Sequence, residues 1–233
     1  SAAGTALYLD PGSLEAPTVA VANASREAMR MADIVKEMLL ASRQAFSSTE
    51  FESVKRVSKR DDDLDSLYSA IHSFLSRIDH GALTQEEAHR ISQIIALSIN
   101  LEHVGDIIDS NLMQIAANRI ENQIELSQRD LALVETMLSR LGEDLQLAMA
   151  VFMQGDLRAA RQLVSKKEEF RDVEREARQR HLDLMRAGRF DDVKVSALLI
   201  DITRDLKRIE AHIAAIAYGL LEERGQLRLT RLA

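Results

Sequence analysis

Leu101-Glu102-His103-Val104-Gly105-Asp106 lies inside an apolar run from Ile94 to Ile115, and the reading of that run decides the fold. Ile94, Leu101, Val104, Ile108, Leu112 and Ile115 recur at steps of three, four and seven, the spacing that lines one face of an α-helix. Glu102 and Asp106, four residues apart, share a face beside that stripe. Like charges at this spacing destabilise a helix by roughly 0.2–0.5 kcal/mol. A helix that keeps them, with Asp109 on the same flank, turns them either to water or towards a cation.

The same periodicity gives five more helical segments. The first starts near Pro17, a residue tolerated in an opening turn, and carries Val21, Ala24, Ala28, Met31, Val35, Met38 and Leu39 to about Phe46. The second opens at Ser48 or Thr49, with Thr49 and Glu52 at capping-box spacing, and runs to Ile78 before His80-Gly81. The third, holding the quoted stretch, starts at Thr84 with Glu87 as its capping partner. The fourth spans about Ser127 to Met153, and Gly155 and Asp156 read as its terminator and the next N-cap. The fifth continues to Met185 and the sixth occupies roughly Asp192 to Glu223. All are far longer than the ~11 residues of a typical globular helix, and short turns join them, the wiring of an antiparallel bundle.

Composition agrees with an all-α chain. Among 233 residues there are two prolines, nine glycines and no tryptophan, with 46% hydrophobic residues to build a core. The absence of cysteine excludes disulfides, thiolate metal sites and cysteine nucleophiles. A net charge of -7 and the lack of a basic stripe argue against nucleic acid as a partner. No apolar run of about eighteen residues is present to cross a bilayer, so direct membrane insertion of this segment is not expected. No Ser/His/Asp arrangement, P-loop or nucleotide fingerprint appears, and no enzymatic activity is expected.

Val57-Ser58-Lys59-Arg60-Asp61-Asp62 reappears as Val164-Ser165-Lys166-Lys167-Glu168-Glu169, each copy on the middle helix of a set of three. The expected architecture is therefore two tandem antiparallel three-helix bundles. Residues 1–16 form a linker or strap, 17–120 the first bundle and 121–233 the second, with the boundary between about Ala117 and Ser127.

Leu101-Glu102-His103-Val104-Gly105-Asp106 resembles the Leu-Glu-Arg-Ile-Gly-Asp element of the PhoU family, whose fold is two three-helix bundles. Asp61 to Asp65, in Lys59-Arg60-Asp61-Asp62-Asp63-Leu64-Asp65, is similar to the family's acidic stretch on the helix facing that element. The resemblance implies a metal site of Asp61, Asp65, Glu102 and Asp106. These carboxylates, with no clear histidine ligand, suit a divalent ion such as Mg, Mn or Ca, or ferric iron. Leu7-Tyr8-Leu9-Asp10-Pro11, Leu14 to Pro17 and Ala24 to Met31 resemble the junction between membrane part and PhoU-like domain in bacterial sodium/phosphate cotransporter proteins. That implies a cytoplasmic regulatory domain of an inner-membrane protein, with the membrane part of the same chain as partner. A homodimer through helix faces is a further expectation, and a freestanding PhoU-type regulator or metal-binding bundle is the alternative.

The second bundle departs from the pattern. Pairing Val104 with Ile209 sets Lys207 and Ala211 opposite Glu102 and Asp106. Asp201, Asp205 and His212 share a nearby face, but Arg204 and Arg208 are placed to neutralise the two acids as ordinary helix pairs. Glu86-Glu87-Ala88-His89 has the Glu-x-x-His spacing of di-iron bundles in one copy, in a first turn where acids favour the helix dipole. Lys166 to Arg180 reads as a solvated charged face. Met29, Met31 and Met38 read as core filling.

Overall fold

The computed structural model describes residues 2–223. Among these the secondary structure is helical, with no strand. The longer helices are α1 (Pro17–Ser47), α2 (Glu52–Ser76), α3 (Gln85–Asp106), α4 (Met113–Glu121), α5 (Gln128–Gln154), α6 (Leu157–Ser165), α7 (Lys167–Arg186) and α8 (Phe190–Glu223). A π-helical segment, Ile107–Leu112, joins α3 to α4 in one rod, and short 3-10 turns stand at Pro11–Glu15 and His80–Ala82. Helices α1, α2 and the α3–α4 rod make one three-helix bundle; α5, the α6–α7 pair and α8 make the other. The two bundles pack along α1 against α5 and α3 against α8, so their apolar faces merge into one contiguous core.

The helix ends show why these segments start and stop here. Thr84 accepts from the Glu87 N–H at 3.1 Å while Glu87 accepts from the Thr84 N–H at 3.1 Å, the reciprocal capping box expected from the sequence. Asp156 caps α6 by accepting from the Ala159 N–H at 3.0 Å. Gly155 ends α5 at φ 63°, a left-handed conformation that glycine adopts without a Cβ penalty. Met31 and Met38 are fully buried, as core residues should be.

Three expectations need correction. No side chain caps α2: its N-cap is Phe51, so the Thr49–Glu52 box does not form. The third helix is not a uniform α-helix, since its ladder widens by one residue over Ile107–Leu112. The fifth segment breaks at Lys166, where α6 stops and α7 starts.

The strap before α1 is tied down from beneath. Glu27, buried on α1, accepts from the Leu7 N–H at 2.6 Å and the Tyr8 N–H at 3.0 Å. Arg30 bonds Glu27 at 2.7 Å and donates to the carbonyls of Thr5 and Ala3. The Arg26 guanidinium lies 4.1 Å from the centre of the Tyr8 ring. A carboxylate buried at this depth requires such donors, so the strap and α1 hold each other in place.

Candidate metal centre

Gly105 sets the distance between α2 and α3. A Cβ there would lie 2.4 Å from Leu64 Cδ2 and 2.9 Å from Asp61 Oδ1, closer than packed atoms tolerate. Its absence lets the acidic stretch of α2 settle against the acidic turn of α3. One oxygen each from Asp61, Asp65 and Asp106 lie within 4.8 Å of one another, and the same holds for ligand atoms of Glu102, His103 and Asp106. Asp106 is common to both groups, which between them contain the four residues read from the sequence, Asp61, Asp65, Glu102 and Asp106. His103 joins them, a nitrogen donor that the sequence reading had not counted as a ligand; its place beside Glu102 was the available signal.

Electrostatics show how much negative charge has been concentrated. Burial first, then the charges of Asp65, Asp109, Asp106 and Asp62, push Asp61 from 3.8 up to about 7. Burial, then a hydrogen bond and charge repulsion from Asp106, push Glu102 up to about 7. Asp65 and Asp109 are raised as well, burial again leading. Among the described residues no lysine or arginine pairs with any of these acids. The neighbouring Arg60 is instead taken by Glu37 at 2.9 Å and Asp63 at 2.8 Å. Asp61 Oδ1 is buried and has no hydrogen-bond donor. A buried carboxylate oxygen without a donor, among acids that no lysine or arginine neutralises, is the environment a hard cation relieves, and carboxylates with one imidazole suit Mn, Mg, Ca or ferric iron.

The second bundle supplies its own cations. Lys207, at the position matching Glu102, forms an ion pair with buried Glu174 of α7. Arg204 and Arg208 both reach Asp205, at 3.9 and 3.3 Å, so the Asp201–Asp205 pair is neutralised as the sequence suggested. The residue matching Gly105 is Glu210, which is fully buried beside Asp144 of α5. Lys166, at the break in the middle helix, places its ammonium 3.4 Å from Asp144. Burial, then the adjoining carboxyl of Asp144, lifts Glu210 to about 10, so the two buried acids share a proton at neutral pH. Sequence reasoning missed this pair because its two acids lie on different helices, α5 and α8.

The PhoU domain model matches twice, over residues 28–115 and 134–219, one match on each bundle. The chain belongs to the PhoU family. Its known members regulate rather than catalyse, and some bind metals. "Putative inorganic phosphate export protein YjbB" of Salmonella typhimurium is 32% identical over 219 residues, and its counterpart in Escherichia coli K12 is 31% identical over 216. Both alignments cover more than nine-tenths of this PhoU chain but only 40% of the relative's own length. The crystal structure of PhoU from Pseudomonas aeruginosa superposes with a TM-score of 0.75 at 20% identity, covering 87% of this chain and 96% of that one, which shows the shared fold.

Proposed function

We propose that this chain is the cytoplasmic regulatory PhoU-like domain of an inner-membrane phosphate transporter, a sodium-dependent cotransporter in the closest reading, and that it adjusts flux without forming the transport path. The observation that carries this reading is the strap: residues 3–8 are fixed to α1 through Glu27 and Arg30, so a pull or rotation applied at the strap reaches the first bundle directly. The relatives named for inorganic phosphate export, of which the chain spans 40%, support it. No helix among the described residues is long and apolar enough to cross a membrane, so a transport path would have to be built elsewhere. A helical domain of this kind acts by binding one conformation of its membrane partner more tightly than another.

In this reading Asp61, Asp65, Glu102 and Asp106, with His103, hold a divalent or ferric ion in the first bundle, and the ion joins α2 to α3. A second reading, a freestanding PhoU-type phosphate-signalling regulator, is favoured by the near-complete coverage of the Pseudomonas aeruginosa PhoU chain. The coding sequence upstream of Ser1 separates the two. Several apolar spans in frame support the transporter reading, and a start codon directly before this segment overturns it.

A further inference from the structure

Where α3, α5 and α8 meet at one end of the molecule, a cavity of about 410 Å³ opens between the two bundles, well away from the acidic cluster. Arg90 stands at its wall with the guanidinium half-buried and 4.0 Å from the centre of the Phe152 ring. One terminal nitrogen, Nη1, donates to Gln93 Oε1 at 3.0 Å and to the Phe152 carbonyl at 2.6 Å. Among the described residues, Nε and Nη2 have no acceptor and no carboxylate pairs with Arg90. Burial lowers its pKa, with no opposing negative charge to restore it. The guanidinium is thus held in place by stacking and by one nitrogen, while the edge that forms a two-pronged bond to a carboxylate or phosphate is unused.

Apart from Arg90 and Gln93, the side chains that line the cavity are apolar. Leu97, Phe152 and Ile216 line it, and a Cβ at Gly219 would meet nothing within 4 Å. We infer that this cavity binds an amphipathic anion, its carboxylate or phosphate head on the free edge of Arg90 and its aliphatic chain along Ile216 and Leu220. The volume falls in the range of small-molecule sites, roughly 300–1,000 Å³, and one preorganised charge among apolar walls is the arrangement such sites use. Helices of both bundles form the walls, so an occupant would fasten one bundle to the other. This site is independent of the metal centre and of the reading proposed above.

Calorimetry on the full chain tests it with decanoate kept below its micelle concentration, and with decanol and acetate as probes lacking the charge or the chain. Decanoate should bind one to one, and decanol and acetate at least about tenfold more weakly, or about 1.4 kcal/mol. Arg90→Met should lose at least about tenfold in decanoate affinity. Gly219→Leu fills the cavity while favouring the helix, so it stays folded and should abolish binding. Decanol binding as tightly as decanoate, or decanoate binding unchanged in Arg90→Met or in Gly219→Leu, overturns the proposal. Phosphatidylglycerol vesicles identify the source of the ligand. Retention that decanoate displaces assigns the site to a bilayer lipid, and decanoate binding without retention assigns it to a free amphiphile. Retention that decanoate leaves untouched, with no decanoate heat, refutes the site.

Discussion

Replacing Asp61 by Asn should stabilise the metal-free protein at neutral and alkaline pH and remove its response to divalent cations. Asp61 is only 6% exposed, and burial with the surrounding acids lifts it from 3.8 to about 7. A folded-state pKa raised above the unfolded one means that protonation favours the fold. The contribution of Asp61 is therefore fully present below about pH 4 and is lost as pH rises through about 7. At about 1.4 kcal/mol per pH unit the whole effect would approach about 4 kcal/mol; water around exposed Asp65 and relaxation of the neighbouring acids reduce it to about 1–2 kcal/mol. Asparagine keeps the shape without the charge, so in EDTA at about pH 8 the variant should be about 1–2 kcal/mol more stable than wild type, and close to it at about pH 4. With Mn²⁺ at a hundred times its Kd, wild type should gain about 2.7 kcal/mol and the variant far less. Urea unfolding followed by far-UV circular dichroism measures both. A variant less stable than wild type in EDTA at alkaline pH, or one that keeps the Mn²⁺ gain, would refute the reasoning.

Gly105→Ala should destabilise by about 1–3 kcal/mol because its Cβ runs into Leu64 and Asp61, outweighing the gain of about 1 kcal/mol that alanine normally brings to a helix; a stabilised variant in urea melts would mean that α2 and α3 are not in close contact. Glu210→Gln mimics the protonated acid. Because Glu210 is raised from 4.5 to about 10, wild-type stability should fall as pH rises through that window, and at about pH 9 the glutamine variant should be the more stable by at least about 1.4 kcal/mol; equal pH slopes would contradict the shared proton. Leu101→Ala, at a fully buried position, should cost about 2–5 kcal/mol and Asp109→Ala no more than about 1 kcal/mol, and the reverse order in denaturant melts would mean that the face of α3 is wrongly assigned.

The helix order, the Thr84 capping box, the Gly155 stop and the buried stripe through Leu101 and Ile108 were legible because each depends on neighbours within one or two turns. The convergence of Asp61 and Asp65 with Glu102 and Asp106 came from resemblance, since periodicity gives a residue's face on its own helix but not the rotation of the helix opposite. Gly105 appeared in the quoted stretch without its purpose, which needs the coordinates of Leu64 to see. The widened turn at Ile107–Leu112 and the break at Lys166 leave the apolar pattern almost intact, so neither could be read from spacing. Lys166 lay in what looked like a solvated charged run, yet the break turns it inward to Asp144.

Phosphate flux across membrane vesicles tests the account most directly. Vesicles carrying the full-length protein, which the proposed function makes a phosphate transporter, should be compared, at matched abundance, with vesicles whose protein lacks the residues from about Pro17 onward, with and without a sodium gradient and over a range of phosphate concentrations. A domain that binds one transporter conformation about 1.4 kcal/mol more tightly than the other shifts their ratio about tenfold. The account predicts that flux persists without the domain but changes in rate or in its dependence on phosphate. Indistinguishable kinetics at every phosphate concentration would contradict it.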